Sequence, residues 1–205
     1  MRSKHAPEAV VHTSLGLNTL CQKLQGSTDL KILELGPARG GNIEFWSQFC
    51  SSVFVADLGA SLPLPRLAED QERTETEWKN LLGLPEGCRF DVILFWDLLN
   101  YIELTSIPSL VGYLSRFCRP GTILFSLIFD HSQMPEEITV YRIVDPSHLS
   151  YEISGPAMRA CPRHQPRALT GALRGFRTSE SFRLRNSVVE YLFAYEEEKS
   201  TARLS

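Results

Sequence analysis

LKILELGPARGGN, residues 30–42, opens as an apolar strand and ends in a glycine-rich turn, with one acid, Glu34, at the junction. A strand that passes through a tight glycine turn into a helix brings backbone N–H groups and the positive helix end against whatever lies above the turn. Two spacings fit equally. Gly36, Ala38 and Gly40 match G-x-G-x-G, and Gly36, Ala38 and Gly41 match G-x-G-x-x-G, each with alanine in the middle place. Glu34 separates the chemistries these spacings serve, because a carboxylate repels a pyrophosphate and attracts an ammonium or sulfonium group.

Outward from this stretch, hydrophobic periodicity predicts alternating strands and helices. Residues 14–26 read as a short helix, with Leu17, Leu20, Cys21 and Leu24 on one face and Gly26 as its stop. NIEFWSQFC (42–50) reads as a helix with Ile43, Trp46, Phe49 and Cys50 inward, and SVFVADL (52–58) as the next strand, closing on Asp57. A helix is expected within 64–84, then a buried strand in RFDVILFWDLLNYI (89–102). SIPSLVGYLSRFCRPG (106–121) is a helix with Ile107, Leu110, Val111, Leu114 and Phe117 inward, ended by Pro120-Gly121, and TILFSLIF (122–129) is a strand. The segment 130–166 reads as irregular, with one strand in EITVYRIV (137–144). PRALTGALRGF (166–176) is a last helix, and SESFRLRN and SVVEYLFAYE pair as an antiparallel hairpin. Strands alternating with helices imply a doubly wound α/β domain: a mostly parallel sheet with helices on both faces. Its functional residues belong just beyond the strand ends.

The totals exclude several classes. A chain of 205 residues with 43% apolar and 22% charged side chains suits one soluble domain spanning 1–205, with a helical segment at 1–28, an insert or substrate cover at 130–166 and a charged tail at 196–205. A net charge of -3 gives no general attraction to nucleic acid. The arginines between Arg159 and Arg185 and the acids between Glu69 and Glu77 read as solvated faces. Five cysteines, odd in number and never C-x-x-C, read as buried reduced thiols, and with no apolar leader or span the expected compartment is the cytoplasm. Elbow, zinc-protease and phosphate-loop motifs are absent, and no metal-ligand spacing occurs.

Asp57 follows Glu34 by about 20 residues, where an acid can accept from both ribose hydroxyls. Two carboxylates without a phosphate-pairing lysine describe a nucleoside with a cationic amino-acid tail, and S-adenosylmethionine is such a molecule. In order, ILELGPARGGN, VFVADL, FDVILFWDLLNYI, LSRFCRPGTILFSL, LRGF and the final hairpin resemble the landmarks of the class I S-adenosylmethionine-dependent methyltransferases, over roughly residues 30–195. The resemblance implies a Rossmann-like sheet with a C-terminal antiparallel hairpin. It also implies that Glu34, Gly36, Pro37, Ala38, Arg39, Gly40 and Asn42 surround the methionine portion, that Asp57 and Leu58 meet the ribose, and that Asp97, Leu98 and Tyr101 lie beneath the sulfonium and adenosine. The family's third strand, often followed by an adenine-binding acid, has no counterpart between Leu58 and Gly87.

Any base that methyl transfer requires is sought among Asn100, Tyr101, His131, Tyr141 and His148, although each has an ordinary structural explanation. A small-molecule acceptor is preferred because no separate recognition domain is present, with protein and RNA acceptors left open and no membrane partner expected. The alternatives are a methyltransferase-like binding or scaffold protein without catalysis, and a nicotinamide-dependent reductase, which Glu34 argues against.

Overall fold

The computed structural model describes residues 10–37, 39–62, 71–153 and 155–197, with only the backbone described for 71–73. At its centre lies a six-stranded sheet. Strands β2 (Leu30–Glu34), β3 (Cys50–Val55), β4 (Val92–Trp96) and β5 (Ile123–Phe129) are parallel. Strands β10 (Phe176–Arg183) and β11 (Val188–Tyr195) close one edge as an antiparallel hairpin, giving the order β10-β11-β5-β4-β2-β3. Chain order reverses between β2 and β4, and a crevice at such a reversal is where doubly wound sheets take ligands.

The sheet is buried on both sides, as continuous apolar runs require. Leu33, Leu35, Ile93, Phe95 and Leu124 point to one face, where they meet α3 (Gln71–Leu82), α4 (Ile107–Ser115) and α5 (Pro166–Ala172). Ile32, Val92, Leu94, Phe125 and Leu127 point to the other, against α1 (Leu15–Leu24) and α2 (Gly40–Trp46). The inward positions expected of the first helix and of α4 are all buried, and Gly26 and Gly121 take φ of 82° and 92°. Ser14 caps α1 by accepting from Leu17 N at 3.1 Å, and Glu190 reaches under the same end to accept from Gly16 N at 2.6 Å.

Three expectations need correction. The first segment is not wholly helical, since β1 (Val10–Thr13) precedes α1. The helix after the glycines ends at Trp46 and buries Asn42 and Trp46, while Ile43 is 38% exposed and Cys50 begins β3. The segment 130–166 is not irregular with a single strand. It holds β6 (Gln133–Pro135), β7 (Val140–Asp145), β8 (His148–Glu152) and β9 (Met158–Ala160). Strands β1, β8 and β7 form a second antiparallel sheet, and β6 pairs with β9. Among the described residues no strand lies between Leu58 and Gly87, and no helix is long and apolar enough to cross a membrane.

Candidate functional site

At the C-terminal end of β2 the Glu34 side chain is buried, and its Oε1 accepts from Gly36 N at 3.0 Å and from the Trp96 indole Nε1 at 2.5 Å. Burial pushes this carboxyl up to about 8. The hydrogen bonds from Gly36 and Trp96 oppose that rise, and the charge of Asp57 adds to it. Trp96 sits at φ 48°, where the pairing of β4 with β5 shifts register between Leu94 and Trp96. Positive φ is rare for a bulky residue and re-aims its side chain. The indole stacks on Tyr141, with centroids 5.5 Å apart and planes 8° from parallel, and meets Phe125 edge-on. It also covers Gly36, where a Cβ would stand 2.7 Å from Trp96 Cδ1. Gly40 and Gly41 face open space.

The end of β3 runs beside this. Ala56 N donates to Glu34 O at 2.8 Å, and Leu58 N donates to Leu35 O at 3.0 Å. These bonds set Asp57 at the lip of the sheet. Asp57 is exposed, its Oδ1 accepting from Ala60 N at 3.1 Å in a local turn, while Leu58 turns into the core. The two acids therefore face the same end of adjacent strands, close enough to influence one another electrostatically.

Beyond β4 the acid is enclosed. Asp97 has no exposed surface, and its Oδ2 accepts from Thr139 N at 3.1 Å, while Oδ1 has no partner among the described residues. Burial pushes Asp97 up to about 7. Leu98 packs into the core on the α3–α5 face. Asn100 is spent on backbone, donating to the carbonyls of Asp97 and Leu127 and accepting from Phe129 N. The Tyr101 hydroxyl donates to Glu137 O at 2.8 Å.

The insert thus roofs the crevice, and α2 is tied to it. Asn42 Nδ2 donates to Tyr141 O at 3.0 Å, and its Oδ1 accepts from Ile143 N at 2.9 Å. Pro37 and Arg39 are half-buried, and Ala38 lies outside the described residues. Among the remaining candidate bases, His131 and Tyr141 line a cavity under the insert, whereas His148 pairs with Asp145 at 2.9 Å.

No family model and no curated protein matches the sequence. Solved structures do match. An S-adenosylmethionine-dependent methyltransferase from Clostridium acetobutylicum superposes with a TM-score of 0.54 at 12% identity, over 88% of this chain and 89% of that one. The PH0226 protein of Pyrococcus horikoshii gives 0.52 at 15% identity, over 88% of each. The 1,6-didemethyltoxoflavin-N1-methyltransferase of Burkholderia thailandensis, solved with 1,6-didemethyltoxoflavin and S-adenosylhomocysteine, gives 0.50 at 14% identity, over 89% of this chain and 78% of that one. The chain has the class I methyltransferase fold.

Within that methyltransferase fold, the described residues fit an S-adenosylmethionine-type ligand at some points and oppose it at others. Glu34, Asp57 and the open backbone at Gly40 and Gly41 suit a cationic nucleoside. Asn42 and Tyr101 have their polar atoms committed to the insert, and the indole of Trp96 occupies the space over Gly36. Trp96, Thr139 and the Asn42 bridge escaped sequence reasoning. Trp96 alone left a trace there, as a bulky aromatic immediately before the strand-end acid.

Proposed function

We propose that this chain binds S-adenosylmethionine across the ends of β2 and β3 and transfers its methyl group to a small acceptor held beneath the insert. The observation that carries this reading is the pairing of Glu34 with Asp57 at the reversal point of a sheet with the methyltransferase fold. Glu34 would meet the ligand's ammonium group, backbone at Gly36 and Gly40 would pass beside the methionine portion, and Asp57 would accept from the ribose hydroxyls. Bound there, the cofactor supplies a methyl group already activated by positive sulfur. The protein's share is alignment and exclusion of water, which suits a crevice roofed by β7 and bolted to α2 through Asn42. Admitting the methionine portion requires the Trp96 indole to swing off Gly36. That cover favours a second reading, in which the fold binds a ligand or partner and transfers nothing.

Calorimetric titration with S-adenosylhomocysteine tests the reading. One site per chain, weakened at least tenfold by Asp57→Ala with unchanged melting temperature, supports it. No binding at millimolar ligand sinks it in favour of the second. Methyl-labelled cofactor, followed for transfer to a panel of small molecules, peptides and RNA, then separates an enzyme from an inert binder and identifies the acceptor class.

A further inference from the structure

A cavity of about 360 Å³ lies under the insert, between the end of β5, the start of β11 and strands β1, β6, β7, β8 and β9. This is at the lower end of the range that small-molecule sites occupy and too small to enclose a folded peptide segment. Its walls combine five rings, those of Phe129, Tyr141, Tyr151, His12 and His131, with apolar side chains such as Leu127 and Val188. Among the described residues, no Asp, Glu, Lys or Arg lines it. A charged ligand would enter without a counter-charge, and burying an unpaired charge is among the costliest events in a protein.

His12 supplies a polar anchor. Its ring stands edge-on to Tyr151, and its Nδ1 is buried with no hydrogen-bond partner among the described residues. Such an atom has an unmet hydrogen bond, which a ligand heteroatom in the cavity can supply once the His12 ring turns toward it. Burial, with His148 nearby, lowers the imidazole's affinity for a proton.

The cavity shares walls with the candidate cofactor site. Tyr141 lines it and stacks on Trp96, which holds Glu34, and Thr139 lines it and donates to Asp97. We propose that this cavity is the acceptor pocket and takes an uncharged, flat aromatic molecule whose heteroatom is met by His12. The assignment rests on the methyl-transfer reading above, and transfer requires the Trp96 indole, stacked on Tyr141, to move aside so that acceptor and methyl group meet.

Two dyes with the same ring system probe the pocket: neutral N-phenyl-1-naphthylamine and its sulfonated counterpart, 8-anilino-1-naphthalenesulfonate. Fluorescence titration of the full chain is expected to show one site for the neutral dye, at least tenfold tighter than for the sulfonate. Ile153→Lys and Met158→Asp place charge at the rim, where both side chains are nearly half exposed. Each should weaken the neutral dye at least fivefold and leave the affinity for S-adenosylhomocysteine unchanged. His12→Phe should weaken binding of neutral phenols and aromatic amines more than that of naphthalene. Equal binding of the two dyes, or indifference to both rim charges, overturns the pocket's chemistry. Neutral-dye binding in a chain that does not bind S-adenosylhomocysteine overturns the acceptor role instead.

Discussion

The Trp96 indole donates to the Glu34 carboxyl at 2.5 Å, so a bulky side chain at the sheet's reversal point holds the acid placed for a cationic ligand. Glu34 thereby has two partners for one oxygen, and burial is the largest influence on its proton affinity. With its pKa near 8, the carboxyl is mostly protonated at pH 7. An ammonium group arriving beside it favours the ionised form.

Ligand binding should therefore release protons. At pH 7, calorimetric enthalpies for S-adenosylhomocysteine should differ between phosphate and Tris buffers by an amount corresponding to release of up to about one proton, and affinity should rise from pH 6 to pH 8. Glu34→Gln should remove most of the buffer dependence. Enthalpies that do not change with buffer would show that Glu34 does not meet the ligand's charge.

The same burial makes stability fall with pH. Glu34 and Asp97 bind protons more tightly in the folded chain, near 8 and 7, than their ordinary values of 4.5 and 3.8. The stability these two protons contribute is fully present below the ordinary values and is lost as pH rises through the folded ones, each group costing at most about 1.4 kcal/mol per pH unit. Melting temperature should decline between pH 5 and pH 8. Glu34→Gln should flatten the decline and melt higher than the parent at pH 8.5. A mutant that keeps the parent's slope would show that Glu34 ionises without penalty.

The parallel core was legible because strands buried on both faces have no choice but continuous apolar sequence, as ILFSLIF and VILFW show. The insert was not. QMP and MRA are three residues long, and HLSYE alternates too briefly for a period to emerge. Their pairing depends on partners far along the chain, such as Val10 with Tyr151. The acids at the strand ends were visible as residue types, but what holds them was not. The positive φ of Trp96 arises from a register shift against β5, and no local pattern in the sequence announces it.

Asn42 bolts α2 to the roof across about 100 residues of sequence, using both ends of one amide. Asn42→Ala leaves the buried Tyr141 carbonyl and the half-buried Ile143 N–H unpaired, a loss of about 1–3 kcal/mol for the first and less for the second. Hydrogen exchange should quicken at Ile143, whose N–H the Asn42 side chain accepts, and the melting temperature should fall by several degrees. Asn42→Asp, which keeps the acceptor and loses the donor, should protect Ile143 better than alanine does. Unchanged exchange at Ile143 would mean that the insert docks without α2.

Gly36 and Gly40 divide the turn into a closed half and an open half. A Cβ at Gly36 would stand 2.7 Å from Trp96 Cδ1, closer than real contacts allow, so Gly36→Ala must displace the indole. That should cost about 1–3 kcal/mol and change tryptophan emission as the Trp96–Tyr141 stack opens. A Cβ at Gly40 meets nothing within 4 Å, and Gly40 is the first residue of α2, so Gly40→Ala should hold or raise stability by up to about 1 kcal/mol. If the ligand's amino-acid portion passes that backbone, Gly40→Ala should nevertheless weaken S-adenosylhomocysteine severalfold. A Gly40→Ala chain that is both stable and unimpaired in binding would move the ligand away from the glycine turn.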